Sequence, residues 1–146
     1  MDIINLKEEE RFIEEYVNLR NRHLDFLLTA PISVPETKKC LKSDRLEIMG
    51  VVQEDGLMGV VILYLDRDGE VAFFARHANK GTGTELISII EKVAQERGLS
   101  SIWAWVLEDN SIAQHVFEKK GFVRLGMSRR EYKGSVKYGI NYQKKL

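Results

Sequence analysis

Cysteine is nearly missing from this chain of 146 residues, with Cys40 the one example, so no disulfide can form within it and a reducing compartment fits. Prolines number two, at positions 31 and 35, and no Pro-, Gly- or Ser-rich tract divides the sequence. Histidines number three, scattered without paired spacing or a nearby cysteine, which gives no metal site. Neither sign of charge is in excess, since Lys plus Arg and Asp plus Glu are both 22. Nothing in that balance draws the chain to nucleic acid or to an anionic membrane. Long apolar runs are absent too. The longest, Met58 to Leu65, falls far short of the roughly twenty residues that span a bilayer. The acidic N-terminus lacks the form of a signal peptide. The expectation is one cytoplasmic domain with a single core.

What is present is periodic. Asp2 to Leu6 reads as a strand and Glu8 to about Leu28 as a helix, with a break near Asn21. Ser33-Val-Pro-Glu36 matches a capping box with proline in the first turn of a short helix ending near Leu41. Arg45 to Gln53, Leu57 to Leu65 and Glu70 to Arg76 read as strands joined at Asp55-Gly56 and Asp68-Gly69. Leu86, Ile89, Ile90, Val93 and Ala94 form the apolar stripe of a helix that Gly98 ends. Ser101 to Leu107 is a strand, followed by a helix to Lys120 and two closing strands, Val123 to Ser128 and Val136 to Tyr142.

Two segments carry chemistry. The strand from Glu70 enters a short loop and a helix at Asn79-Lys-Gly-Thr-Gly-Thr84. A helix N-terminus has N–H groups without intrahelical partners and partial positive charge, so it can hold a pyrophosphate if the backbone comes close. Gly81 and Gly83 would permit that approach, Thr82 and Thr84 add hydroxyls, and Lys80 adds charge. The same pair of glycines is also common as a plain strand–helix turn. A nucleotide P-loop is excluded because no lysine follows Gly83, and a dinucleotide fingerprint because Leu86 stands at its third glycine. The second segment is Asn110-Ser-Ile-Ala113-Gln-His-Val-Phe117-Glu-Lys-Lys-Gly121-Phe122, a short helix with asparagine at its start and glycine at its end.

In this order and at this separation the two segments resemble the GNAT superfamily of acyl-CoA-dependent N-acetyltransferases. Asn110, Ala113, Glu118, Lys119, Gly121 and Phe122 match its second motif. The resemblance implies an α/β fold, a mixed and mostly antiparallel twisted sheet with helices on both faces, in the order β-α-α-β-β-β-α-β-α-β-β over residues 1–146. It implies acetyl-CoA as co-substrate, no metal, and an amine acceptor acetylated by direct attack. CoA would be held by Phe73, Phe74 and Ala75 of the strand, by Asn79, Lys80, Gly81, Thr82, Gly83 and Thr84 of the loop, and by Asn110, Ala113 and Phe117 of the helix. Backbone groups around Phe73 to Ala75, Ala75 above all, would stabilise charge on the reacting carbonyl. The sequence departs from the family at Phe117, where a tyrosine acid is usual, and at Ala78, where Gln or Arg is common. Leu19-Arg20-Asn21 and Pro31 to Glu36 are loosely similar to amino-sugar N-acetyltransferases of the pseudaminic-acid type.

The attacking amine must lose a proton. Glu70 is the favoured acceptor of it, with Glu108, Asp109 and His77 behind, although Glu70 reads equally as a carboxylate in water at a hairpin end. His23 either lines the acceptor pocket or covers it. Trp103 and Trp105 read as core, and Arg129-Arg130 as solvated. A small-molecule amine is the expected partner, with a second copy of the chain as a further one. A protein N-terminus or lysine as acceptor, and a CoA-binding sensor with little turnover, remain as alternatives.

Overall fold

The computed structural model describes residues 2–54, 56–77 and 81–146. The hairpin signal at Asp55 and the readings placed on Ala78, Asn79 and Lys80 lie outside the described residues.

Among the described residues the strands are β1 (Asp2–Asn5), β2 (Leu46–Gln53), β3 (Gly56–Tyr64), β4 (Glu70–Ala75), β5 (Ser101–Leu107), β6 (Val123–Tyr132) and β7 (Ser135–Lys145). The helices are α1 (Ile13–Asn21), α2 (Leu24–Leu27), α3 (Val34–Leu41), α4 (Thr82–Glu96) and α5 (Ser111–Lys119). One seven-stranded sheet runs β1-β2-β3-β4-β5-β7-β6, and every neighbouring pair is antiparallel except β4 with β5.

Side chains alternate across a strand, and β3 shows the consequence. Val61 and Leu63 enter a core with Leu86, Ile87 and Ile90 of α4, while Val60 and Ile62 enter another with Ile13, Tyr16 and Val17 of α1. The sheet is therefore covered on both faces, which is why its central strands read as continuous apolar runs rather than alternating ones. No helix among the described residues is long and apolar enough to cross a membrane.

Two elements differ from expectation and one expected cap is present. The first helical stretch opens as a 3₁₀ turn at Glu10–Phe12 rather than as α-helix, and its break falls where expected, after Asn21, before the one-turn α2. Ser33 does cap α3, accepting the Glu36 N–H at 3.3 Å while Pro35 sits in the first turn. The last hairpin is longer at both ends than its pattern suggested. Over Arg129–Tyr132 exposed residues alternate with half-buried ones, but the half-buried pair is Arg130 and Tyr132, so no apolar alternation marks the stretch as strand.

The pairing that matters most is the shortest. β4 and β5 share one residue pair, Glu70 with Trp103, anchored by the Trp103 N–H donating to Gly69 O at 3.2 Å. Beyond that point β5 continues along β7 and β4 along β3, so the two strands part and a cleft opens within the sheet. Arg76 N–H bonds to Met58 O of β3 at 2.8 Å, and backbone polarity alternates. The N–H groups of Phe73 and Ala75 consequently turn toward the cleft.

α4 is the main brace of this arrangement. Ile90 is fully buried in its core. Ile90→Ala should cost about 2–5 kcal/mol of stability, read as a lower urea midpoint with an unchanged slope.

Candidate active site

The cleft holds two adjoining cavities that share Phe73, Ala75 and Ile112 in their walls. The first, about 480 Å³, runs from the parted strands to a chamber under His23 and Phe26–Thr29. The second, about 440 Å³, lies between the glycine turn and α5.

At the second cavity the N-cap of α4 is Gly81, at φ +77°, and no side chain caps the helix. A left-handed residue at this place favours glycine. A Cβ added there would meet nothing within 4 Å, so the space beside the helix start is open. The amides of the first turn are thus left for a ligand. Gly83 has a different reason from the one its motif suggests. A Cβ at Gly83 would stand 2.8 Å from the Phe73 ring and 3.2 Å from Val116, so this glycine lets α4, β4 and α5 pack together. Thr82 and Thr84 line the same cavity, and His77, His115 and Lys119 add basic groups to its rim. His115 and Lys119 were not singled out from the sequence for this place; their position four apart on one helix face is the signal.

Across the cleft Asn110 caps α5, its Oδ1 accepting the Ala113 N–H at 3.1 Å. Gln114 holds the preceding turn through bonds from Nε2 to Leu107 O and Glu108 O, at 3.2 and 2.8 Å. Ala113 is buried, and its small side chain leaves room against the helix. Phe117 is buried among aromatics, edge-on to Phe73 at 5.5 Å and to Phe122 at 4.9 Å, and stacked on Tyr142 at 5.9 Å. With phenylalanine at that place, Tyr132, Tyr138 and Tyr142 of the last hairpin are the next sources of an acid, and none of them lines the cleft. Tyr142 donates to Glu118 at 2.5 Å, and burial pushes its hydroxyl above the ordinary range. Tyr132 donates to Thr29 O, and Tyr138 is exposed on the last hairpin. Phe74 points away from Phe73, into the core below α1, where it stacks on His23 at 5.6 Å.

The chamber assigns other roles than the sequence suggested. Glu70 is buried, not solvated, and each carboxylate oxygen meets a guanidinium: Arg67 at 3.5 Å and Arg130 at 2.9 Å. Both oxygens of the expected proton acceptor are therefore engaged. Arg130 lies 4.6 Å over the Trp105 ring, so it is not a solvated residue. Trp105 is half-exposed in the chamber wall and not core; it rests on Gly139, where an added Cβ would come within 2.2 Å of the ring. Glu108 and Asp109 are exposed and do not line the chamber. His23 does. Its Nδ1 lies 2.9 Å from Leu19 O, and a carbonyl only accepts, so Nδ1 carries a proton and, in the neutral ring, Nε2 has the lone pair. Among the described residues no cluster of three or more His, Cys, Asp or Glu could hold a metal ion.

An acetyltransferase (GNAT) family model matches residues 9–122, most of the chain. The chain belongs to that family. As a GNAT member it is an acetyl-CoA-dependent N-acetyltransferase. Solved structures of the same fold include a ribosomal-protein-alanine N-acetyltransferase from Brucella melitensis, 15% identical, covering 100% of both chains with a TM-score of 0.86. A spermidine N-acetyltransferase from Vibrio cholerae, solved with CoA and spermine, is 19% identical over 99% of this chain and 94% of its own, with a TM-score of 0.83. The acetyltransferase yncA of Salmonella typhimurium, solved with acetyl-CoA, is 13% identical over 100% and 94%, with a TM-score of 0.87. At such identities the likeness speaks for the fold alone. No curated protein sequence matches the chain.

The open, uncapped turn at Gly81 is the observation that fits a CoA pyrophosphate. Lys119 is exposed, so Lys119→Glu should leave the fold intact while placing negative charge on that cavity's rim. Calorimetry should find CoA binding weakened about tenfold or more, with an unchanged melting temperature in the absence of CoA.

Proposed function

We propose that the protein transfers an acetyl group from acetyl-CoA directly to the primary amine of a small molecule, acting in the cytoplasm. The carrying observation is that the last hairpin crosses the mouth of the chamber at two links. Tyr132 of β6 donates to Thr29 O at 3.4 Å, and Arg130 of the same strand bridges to Glu70 of β4. These links tie the last hairpin to the loop after α2 and to β4, across the path that a peptide acceptor would need. A chamber of this size narrowed in this way suits a small acceptor better than a protein terminus.

Bound acetyl-CoA supplies a thioester carbonyl to the amine and leaves as the thiol. The Phe73 and Ala75 N–H groups face the cleft and donate to the carbonyl oxygen as negative charge grows there. His23 Nε2 takes the proton that the amine loses as the C–N bond forms. Stacking on Phe74 and the bond to Leu19 O hold its ring in place. Phe117 gives apolar packing beside the thioester, and proton delivery to the departing sulfur falls to water, which a thiolate tolerates as a good leaving group. Gly81, Thr82 and Thr84 hold the pyrophosphate, and Asn110 and Ala113 flank the pantetheine. The amino-sugar acceptor implied by Leu19-Arg20-Asn21 and Pro31–Glu36 is one member of the proposed substrate class. Asn21 and Ile32 there also have a structural task, exchanging two hydrogen bonds of 3.1 Å that hold the loop.

Acetyl-CoA at a hundred times its dissociation constant should raise stability by about 2.7 kcal/mol, seen as a higher melting temperature. No shift at millimolar CoA would remove the reading. His23→Phe keeps the ring stacked and deletes the base. It should lower kcat about a hundredfold or more with CoA affinity unchanged; an unaltered kcat would assign the proton to another group.

A further inference from the structure

Four guanidinium groups line the chamber, those of Arg20, Arg67, Arg76 and Arg130, and the carboxylates paired with them are two, Glu70 and Glu15. Arg76 is matched by Glu15 at 3.4 Å and by Leu57 O at 3.0 Å. Glu70 serves Arg67 and Arg130 together, one carboxylate for two cations.

Arg20 has no acid at all among the described residues. It is 9% exposed, and its two recorded bonds go to neutral acceptors at long range: Ala30 O at 3.4 Å and Thr29 Oγ1 at 3.3 Å. Its Nε is buried without a partner. The nearby Tyr16 hydroxyl does not supply a counter-charge. Burial pushes it above its ordinary range, against the opposing pull of Arg20, and it stays neutral. The end of α1 offers partial negative charge, only a fraction of a unit. A buried cation costs free energy unless it is paired, and a donor left without an acceptor costs more. The Arg20 Nε is sealed from the chamber, but Nη1 and Nη2 each make only one long bond, so the guanidinium that lines the chamber keeps N–H donors and an unbalanced charge for an anion that enters there.

Three residues along the chain from Arg20 is His23, the group that takes the amine proton in the reading above. An amine and an acid on one small molecule would meet these two side chains together. We infer that the acceptor is a small amine that also carries a carboxylate, of the amino-acid type, with Arg20 receiving the carboxylate. This rests on the acetyltransferase reading of the cleft. The excess positive charge of Arg67 and Arg130 over Glu70 opposes an acceptor with further ammonium groups. A polyamine and a lysine side chain are thereby disfavoured.

The test measures CoA release from acetyl-CoA with the standard amino acids, with their carboxamides, and with spermidine, beside calorimetry of CoA binding. At least one free amino acid should be acetylated, and its carboxamide should have a kcat/KM lower by about tenfold or more, the scale of one charge-assisted hydrogen bond. Arg20→Met should shrink that ratio by a similar factor while the ligand-free melting temperature holds or rises, because a buried cation has gone. A purely structural arginine would instead lose melting temperature and leave the ratio intact. Arg20→Lys keeps the charge without the planar fork and should retain part of the preference, which covers a poorly folding Met variant. Equal use of acids and carboxamides, better use of spermidine, or no accepted amino acid at millimolar concentration while CoA binds would overturn the inference. Failure of CoA itself to bind would overturn the reading beneath it, and the inference with it.

Discussion

Everything at the site depends on β4 and β5 pairing at Glu70 and Trp103 and then separating. A sheet interior normally satisfies every backbone group through its ladders, and an unpaired stretch there is costly. The parted strands leave the N–H groups of Phe73 and Ala75 directed into a cleft, where a ligand with amide groups can complete them as a missing strand would. The gap is also recessed between helices, which keeps it from acting as an exposed edge for association. One shortened ladder thus opens the cleft and turns two backbone donors into it.

The two faces of the sheet support this gap in different ways. On one side α4, α5 and β4 meet at Gly83, where a larger side chain would separate these elements. Phe117 belongs to this side, within a cluster formed with Phe73, Phe122 and Tyr142. On the other side α1 covers the sheet and then ends at Asn21, and the short α2 forms a roof rather than a core element, with no buried residue of its own. The space beneath that roof is the chamber.

Zero formal charge conceals a strong local asymmetry. The chamber gathers arginines from α1, from the β3–β4 turn, from the end of β4 and from β6, and gives them too few acids. Aromatic faces under Arg67 and Arg130, Tyr64 at 4.3 Å and Trp105 at 4.6 Å, hold these cations in defined positions. Such contacts stabilise a guanidinium without neutralising it, so the positive charge remains available to a ligand.

The amino-acid sequence by itself determined the element order, the helix starts at Ser33 and Asn110, the glycine turn and the reaction family. Each is a local matter, set by apolar spacing, caps and turn residues within a few positions of one another. The chemistry of the chamber was decided only by the tertiary structure. Glu70 and Arg130 are sixty residues apart, as the pair separation shows, and nothing near either announces that they meet. Trp105 carries the pattern of a core residue, yet it lines a cavity because no helix covers that part of its face. Gly83 has the look of a phosphate contact, but a ring from another strand explains it. Arg20 reads as an ordinary helix-end cation until the fold buries it without an acid. Long-range contacts of this kind carry no periodicity, and so only the folded chain reveals them.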